Sequence, residues 1–149
     1  ASYGFDLEAG RFDLAAKASY LTDYKRQVTP QGPWTQLVDM AGQPVDLRAQ
    51  GSLTWTRGPF GLTASLNYVD DYRSSQGKRI SSWTTGDLQL RWQPTAGDGL
   101  ANGLVVALSV QNLLDSSPPF YDAPQGVGYD PANADPLGRF VSLQLTKRW

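Results

Sequence analysis

Two residue types that carry much of protein chemistry are missing from this chain of 149 residues, which contains neither cysteine nor histidine. Their absence removes disulfides, thiol nucleophiles, imidazole acid–base chemistry and most zinc or iron sites. No other nucleophile–base pattern is present, and no glycine-rich phosphate loop lies between a strand and a helix. We therefore expect no enzymatic activity, no cofactor and no bound metal.

Long apolar runs and clustered charge are missing as well. The longest apolar run, around residues 104–110, is interrupted by Ser109 and is far shorter than the ~18 residues of a membrane helix. The 13 basic and 14 acidic residues are nearly balanced, and without a basic cluster we expect no nucleic-acid partner. The sequence contains no basic segment followed by an apolar one, so we expect no signal peptide within it. Because Ala1 already lies in a strand-like pattern, we expect a piece of a longer protein.

What the chain does contain is strict alternation of apolar and polar residues, which indicates β-strands. The clearest strand runs from Leu47 to Arg57, and no segment has the spacing of a helix. The pattern predicts an all-β protein, an antiparallel up-and-down meander of about seven strands. The predicted strands cover approximately residues 2–9, 12–24, 46–57, 60–71, 82–93, 103–113 and 139–149.

The connections between these strands alternate in length. They are short at 9–11, 57–59 and 94–102, and longer at 25–45, 72–80 and 114–138. Alternate connections of a meander emerge at the same end, so one end carries short turns and the other carries long loops. This asymmetry is typical of bacterial outer-membrane barrels, and it predicts an outer-membrane location.

The apolar face has the residues expected of a surface that meets lipid. It is rich in alanine and glycine, which would leave a soluble core short of volume. Its aromatic residues lie near the strand ends, and an eight-residue spacing between two of them spans about 19 Å of membrane depth at ~45° tilt. The predicted aromatic girdle consists of Phe12, Tyr20, Trp55, Phe60, Tyr68 and Trp92. The alternative is a set of ordinary aromatics in the core of a soluble sandwich.

Short motifs in the last third of the chain resemble a known family. The segments 109–115 (SVQNLLD), 118–120 (PPF) and 128–140 (GYDPANADPLGRF) are similar to the last strands and last outer loop of TonB-dependent outer-membrane receptors. The clear resemblance covers about residues 104–149. It implies that residues 1–149 are the C-terminal part of a 22-stranded transmembrane β-barrel whose plug domain is absent here.

The resemblance also implies a function and a set of partners. The function is TonB-driven uptake of a scarce ligand, such as a siderophore, cobalamin or a saccharide. The partners are outer-membrane lipid, the remaining barrel strands, the plug domain and TonB. Because single-chain bacterial barrels have even strand numbers, seven strands indicate that others are missing, and we expect the exposed edges of the isolated piece to pair with another copy.

The closing strand has a second predicted role. Its alternating residues Val141, Leu143, Leu145 and Trp149 face lipid in the predicted barrel. By family resemblance they also look like the signal that the barrel-assembly machinery recognises. Recognition would occur when this strand is added to the edge of a sheet in the machinery.

Candidate ligand contacts lie in the long loops. Trp34, Tyr121 and Tyr129 are loop aromatics that can stack on a sugar or a planar ligand, or that simply pack the loops. The basic loop 72–79 either contacts lipopolysaccharide phosphate or an anionic ligand, or is a solvated loop. Four loop carboxylates, those of Asp115, Asp122, Asp130 and Asp135, do not have the spacing of a Ca²⁺ loop and are better explained as turn-forming residues.

Two other classes of protein fit parts of the pattern. One is a soluble β-sandwich or lipocalin-like domain that binds a ligand in its interior. The other is a passive pore or adhesin barrel without a plug.

Overall fold

A computed structural model describes residues 1–94, 102–124 and 126–148. This part of the chain forms no helix long and apolar enough to cross a membrane. Its regular structure consists of strands, numbered here in chain order. They are β1 (Ser2–Leu7), β2 (Gly10–Tyr20), β3 (Lys25–Gln27), β4 (Trp34–Gln36), β5 (Leu47–Arg57), β6 (Phe60–Val69), β7 (Tyr72–Arg73), β8 (Arg79–Ile80), β9 (Trp83–Trp92), β10 (Leu104–Gln111) and β11 (Phe140–Lys147).

Seven of these strands form one antiparallel meander in the order β1-β2-β5-β6-β9-β10-β11. The predicted all-β meander is therefore confirmed. Strand β2 ends at Tyr20 and not at residue 24 as predicted. The Leu21 amide still donates to the Asp46 carbonyl in register at 2.7 Å, but the Tyr24 carbonyl accepts the Leu37 amide, just after β4, at 2.7 Å. The short connection predicted at 94–102 lies largely outside the described residues.

The register aligns the apolar residues of all seven strands on one face. One cross-strand row runs through Tyr3, Leu14, Leu53, Ala64, Leu88, Val110 and Val141. No second large sheet covers this face in the described part of the chain. Besides the seven-stranded sheet, that part contains only two short hairpins. The side chains stay in contact with solvent: Leu53 is 39% exposed, Leu66 59%, Leu90 41% and Leu143 64%.

The buried core lies in the loops and not on the sheet. Val45, Tyr72 and Ile80 are each 2–3% exposed and form one cluster, against which Tyr121 of the last connection packs. The loops predicted as irregular at 25–45 and 72–80 contain the hairpins β3–β4 and β7–β8. Sequence alternation missed these hairpins because strands of two or three residues are too short to show a period.

Candidate functional site

A row of hydrogen-bonded polar side chains crosses the other face of the sheet. Gln50 of β5 donates to Asn67 of β6 at 2.6 Å, and Asn67 donates to the Asp87 carboxylate of β9 at 2.9 Å. The second Asp87 oxygen accepts the backbone amide of Asn112, just after β10, at 2.9 Å. This polar ladder joins three strands to the beginning of the last long loop, residues 112–139.

Asn112 holds the base of the last long loop. Its side chain is 6% exposed; its amide oxygen accepts the Ser116 N–H at 2.8 Å, and its amide nitrogen donates to the carbonyls of Ser116 and Leu137 at 3.0 and 3.4 Å. Its φ of +47° lies in the left-handed region, which asparagine tolerates better than most residues. The Asn in the 109–115 motif is therefore explained by a turn that needs both this backbone conformation and this amide.

The closing end of the same loop is fixed by Asp115. Its carboxylate accepts the Arg139 amide at 2.8 Å. A Cβ at Gly138 would lie 2.8 Å from the same carboxylate oxygen, so glycine is the residue that allows the two ends of the loop to approach. Asn112 and Asp115 thus tie the loop to β10 and β11 at its base.

The tip of the last long loop reaches a distant part of the chain. Asp130, which is 2% exposed, accepts the Gly42 amide at 2.9 Å, and Asn133 donates to the Gln43 carbonyl at 2.9 Å. The Arg48 guanidinium donates to the Asn133 amide oxygen at 2.5 Å. Burial and the neighbouring Asp130 carboxylate raise the pKa of Tyr72, so the phenol in this cluster stays neutral.

The segment that receives the tip, residues 38–46, contains two partly buried carboxyl groups. One carboxylate oxygen of Asp39 and one of Asp46 are buried without a hydrogen-bond partner among the described residues. Burial and the nearby carboxylates of Asp46, Asp71 and Asp70 raise the pKa of Asp39, while Asp71 itself is paired with Arg79 at 2.7 Å. Asp39 also has a φ of +64°, a conformation that is uncommon outside glycine and asparagine.

Replacing Asp39 with asparagine should stabilise this segment at neutral pH. A carboxyl whose folded pKa is raised lowers stability as pH rises from its ordinary value of 3.8 through its folded pKa, because in that range the folded state binds more protons than the unfolded state does. The expected result is an unfolding midpoint a few degrees higher at pH 7, with the difference vanishing below pH ~3.8.

Thermal unfolding followed across pH 3–8 measures this effect. Asparagine tolerates the left-handed backbone at position 39, so the substitution removes the carboxylate charge without adding backbone strain. The matched control is Asp122→Asn, which removes an exposed carboxylate of the last long loop, and equal curves for the two variants would contradict the prediction.

The three predicted ligand-contacting aromatics do not all line the cavity at Tyr121, although the Tyr121 amide donates to the carbonyl of Gly128, next to Tyr129, at 3.0 Å. Tyr121 lines a cavity of about 540 Å³ between residues 41–42 and the last long loop, and neither Trp34 nor Tyr129 lines it. Trp34 lies on the separate β3–β4 hairpin and is 65% exposed. Sequence reasoning grouped the three because all are loop aromatics, and it missed Arg48, Asn112 and Asn133, whose roles depend on contacts between segments far apart in the chain.

The register places the predicted girdle residues in two groups. Phe12 lies opposite Trp55, and Phe60 lies opposite Trp92, at the end of the sheet with short turns. Tyr20 and Tyr68 lie towards the other end, opposite Leu47 and Ala49. In the last strand Val141, Leu143 and Leu145 share the exposed apolar face, while Trp149 lies outside the described residues.

Two of the four loop carboxylates, those of Asp130 and Asp135, act as turn-forming residues, as their Asp-Pro sequences predict. Asp130 accepts the Ala132 amide and Asp135 accepts the Leu137 amide, at 3.1 and 2.8 Å. Across the described ranges, no group of three or more His, Cys, Asp or Glu residues is arranged to hold a metal ion. The prediction that 72–79 is a solvated loop is wrong at Tyr72 and Ser74, which are 2% and 5% exposed, whereas residue 73 and residues 75–79 are exposed.

The described strands form one antiparallel meander with an uncovered apolar face, a hydrogen-bonded polar face and long loops at one end. These features together are those of the wall of an outer-membrane β-barrel protein. Residues 2–113 match the family model described as TonB dependent receptor-like, beta-barrel. The chain belongs to this family, which is an outer-membrane family of receptors and transporters. No curated protein and no solved structure matches it.

The matched range extends the resemblance to the upstream strands. The sequence motifs placed the clear resemblance at 104–149 and named none upstream, whereas the match covers 2–113 and leaves out the last long loop and β11. The family signal of a barrel strand is weak at each position and is spread over many alternating positions. Such a signal becomes visible when it is summed over several strands, and not in a single short motif.

Proposed function

We propose that this chain forms part of the barrel wall of a receptor that takes up a scarce ligand through TonB and a plug domain. In this proposal residues 1–149 are the C-terminal part of a 22-stranded barrel domain, and the remaining strands and the plug belong to the parent chain. The apolar face, including the girdle residues, meets outer-membrane lipid. The polar face lines the lumen, and the long loops lie on the outer side.

The observation that carries the proposal is the exposure of a continuous apolar face. Burying apolar surface contributes about 25 cal/mol per Å², so a soluble protein does not leave such a surface across seven strands uncovered. Lipid supplies the missing contact. The soluble sandwich and the lipocalin-like barrel both require this face to pack inside the protein, and in the described residues it does not.

Ligand capture is assigned to the outer loops. Tyr121 borders the cavity between residues 41–42 and the last long loop, and Trp34 is exposed on the neighbouring hairpin. Aromatic rings in such positions can stack on planar or sugar ligands. The ligand classes implied by the family resemblance are siderophores, cobalamin and saccharides, and the loop geometry does not choose among them.

The last strand provides the assembly contact in this proposal. Val141, Leu143 and Leu145 on the apolar face, followed in the sequence by Trp149, are recognised in this proposal by the assembly machinery, which adds a strand to the sheet edge. In the isolated piece the outer edges of β1 and β11 stay open, and we expect them to pair with a second copy unless the parent strands are supplied.

Cysteine scanning tests the proposed orientation of the two faces. The chain has no cysteine, so each introduced thiol is unique in it. Ser52→Cys and Leu53→Cys are neighbours on opposite faces of β5. In the intact receptor in membranes, we expect a water-soluble thiol reagent to label Ser52→Cys and a lipid-soluble reagent to label Leu53→Cys.

The same pair contains its own control, because the two positions have the same depth in the sheet. Labelling of both by the water-soluble reagent, in a receptor that stays folded, would overturn the membrane orientation and favour a soluble domain. A plug-less pore would keep the labelling pattern but lack TonB-dependent uptake in cells.

A further inference from the structure

A groove crosses the apolar face of the sheet, roughly at right angles to the strands. It has a volume of about 750 Å³ and reaches from β1 to β9, which is four strand spacings or about 19 Å. Two cross-strand rows of side chains border it, an inner row nearer the short turns and an outer row nearer the long loops. The inner row consists of Tyr3, Leu14, Leu53, Ala64 and Leu88, and the outer row of Ala16, Gly51, Leu66 and Gly86.

The groove is long, narrow and apolar. The two rows are two residues apart along each strand, about 7 Å, which leaves space for one line of carbon atoms at the usual contact distance of about 3.5–4 Å from both sides. Where the outer row carries the bulky Leu66, the inner row carries the small Ala64, so the passage stays open. The residues between the rows direct their side chains to the other face, where Asp87 accepts the hydrogen bond from Asn67.

Two glycines of the outer row are not explained by the chain's own structure. Gly51 and Gly86 lie inside regularly paired strands, and neither has a positive φ. A Cβ at Gly51 would meet no atom within 4 Å, and a Cβ at Gly86 would lie 3.4 Å from a Leu66 methyl group. Glycine inside a strand is unfavourable, and it often marks a place where another molecule comes close. The space over these glycines is therefore open to an occupant from outside the chain.

Two leucines from the beginning of the last long loop border the groove at its β9 end. The Leu113 amide donates to the Gly86 carbonyl at 2.6 Å, so the turn after β10 continues the outer row. Leu113 and Leu114 are exposed and line the groove, whereas the neighbouring Asn112 side chain is buried among the hydrogen bonds of the loop. The turn therefore directs its polar side chain to the loop and its two leucines to the groove.

We propose that this groove binds one acyl chain of an outer-leaflet membrane lipid, which lies over Gly51 and Gly86 and against Leu113 and Leu114. This inference rests on the proposed function, because only there does the apolar face meet lipid and do the long loops lie outside. Strands tilted by about 45° bring the groove obliquely through the bilayer, as an acyl chain entering from the headgroups requires. A second copy of the chain would meet this face with a broad sheet, whereas an acyl chain has the width of the groove.

Photo-crosslinking measures which residues the acyl chain contacts. The intact receptor is placed in phosphatidylcholine vesicles in which a small fraction of the lipid carries a diazirine in one acyl chain, and mass spectrometry identifies the crosslinked residues. Single carbon–carbon contacts are weak, but a chain held between two rows makes many of them. We expect Leu66 to be crosslinked about tenfold more than Leu143, a leucine of similar exposure on the same face, 59% against 64%, outside the groove.

Filling the groove tests the assignment. Gly51→Leu places a side chain in the path of the acyl chain and should lower the crosslinking of Leu66 to the level of Leu143. The control is Ala49→Leu, which adds a leucine to the same face of β5, two residues outside the groove, and should leave the enrichment unchanged. If Gly51→Leu does not fold, Ala64→Leu fills the groove from β6.

The outcomes separate this inference from the proposed function. Equal crosslinking of Leu66 and Leu143 in the parent, or equal effects of Gly51→Leu and Ala49→Leu, would overturn the groove while the face still meets lipid. Protection of Leu66 from the probe, with Leu143 labelled, would show that protein and not lipid fills the groove. Crosslinking of neither leucine in a folded receptor would contradict the proposed function itself.

Discussion

Arginine in place of Leu53 is expected to destabilise the membrane-inserted protein by about 2–4 kcal/mol, as charged residues do on the lipid face near the bilayer midplane. Leu53 lies in a central row of the apolar face, between Leu14 and Ala64. The guanidinium at this depth can reach neither the lumen nor the headgroups without distorting the wall. Denaturant titration of the folded receptor in vesicles measures the loss.

The matched control is Ser52→Arg, one residue earlier on β5. Ser52 lies between Ala15 and Ser65 on the polar face, where small neighbours leave room for the longer side chain. We expect a change within about 0.5 kcal/mol, as for an exposed surface substitution. If the two arginine variants lose equal stability, the apolar face does not meet lipid.

Alanine in place of Asn112 is expected to free the base of the last long loop, with a local loss of about 2–4 kcal/mol. The change leaves the buried Ser116 amide without its acceptor and places alanine at a left-handed φ, each of which is unfavourable by about 1–2 kcal/mol. Hydrogen exchange should show faster exchange of the Ser116 and Arg139 amides, while the amides of β5 and β6 stay protected.

Glycine at the same position separates the two contributions. Asn112→Gly removes the side-chain hydrogen bonds but adopts the positive φ without strain, so we expect it to lose less stability than Asn112→Ala. Equal protection of the Ser116 amide in the alanine variant and the parent would show that Asn112 does not hold the loop. Gln111→Ala, at the neighbouring position, controls for the loss of a polar side chain at the end of β10.

The motif residues illustrate how far sequence reasoning reaches into a loop. The Asp-Pro sequences correctly predict local turns at Asp130 and Asp135, because those contacts involve residues two positions apart. Nothing in the sequence predicts that Asp130 also accepts the amide of Gly42, 88 residues away. The match over residues 2–113 ends where this loop begins, so the family signal does not supply that contact either.

By itself the sequence determined the all-β meander, the division of each long strand into an apolar and a polar face, and the end at which the long loops lie. These features follow from a period of two and from the lengths of the connections, both of which are local properties of the chain. Only the tertiary structure decided which distant residues meet: the core of Val45, Tyr72 and Ile80, the polar ladder from Gln50 to Asn112, and the contact of Asn133 with Gln43. Such contacts join segments distant in the chain, and they depend on the register and curvature of the whole sheet, which no local pattern specifies.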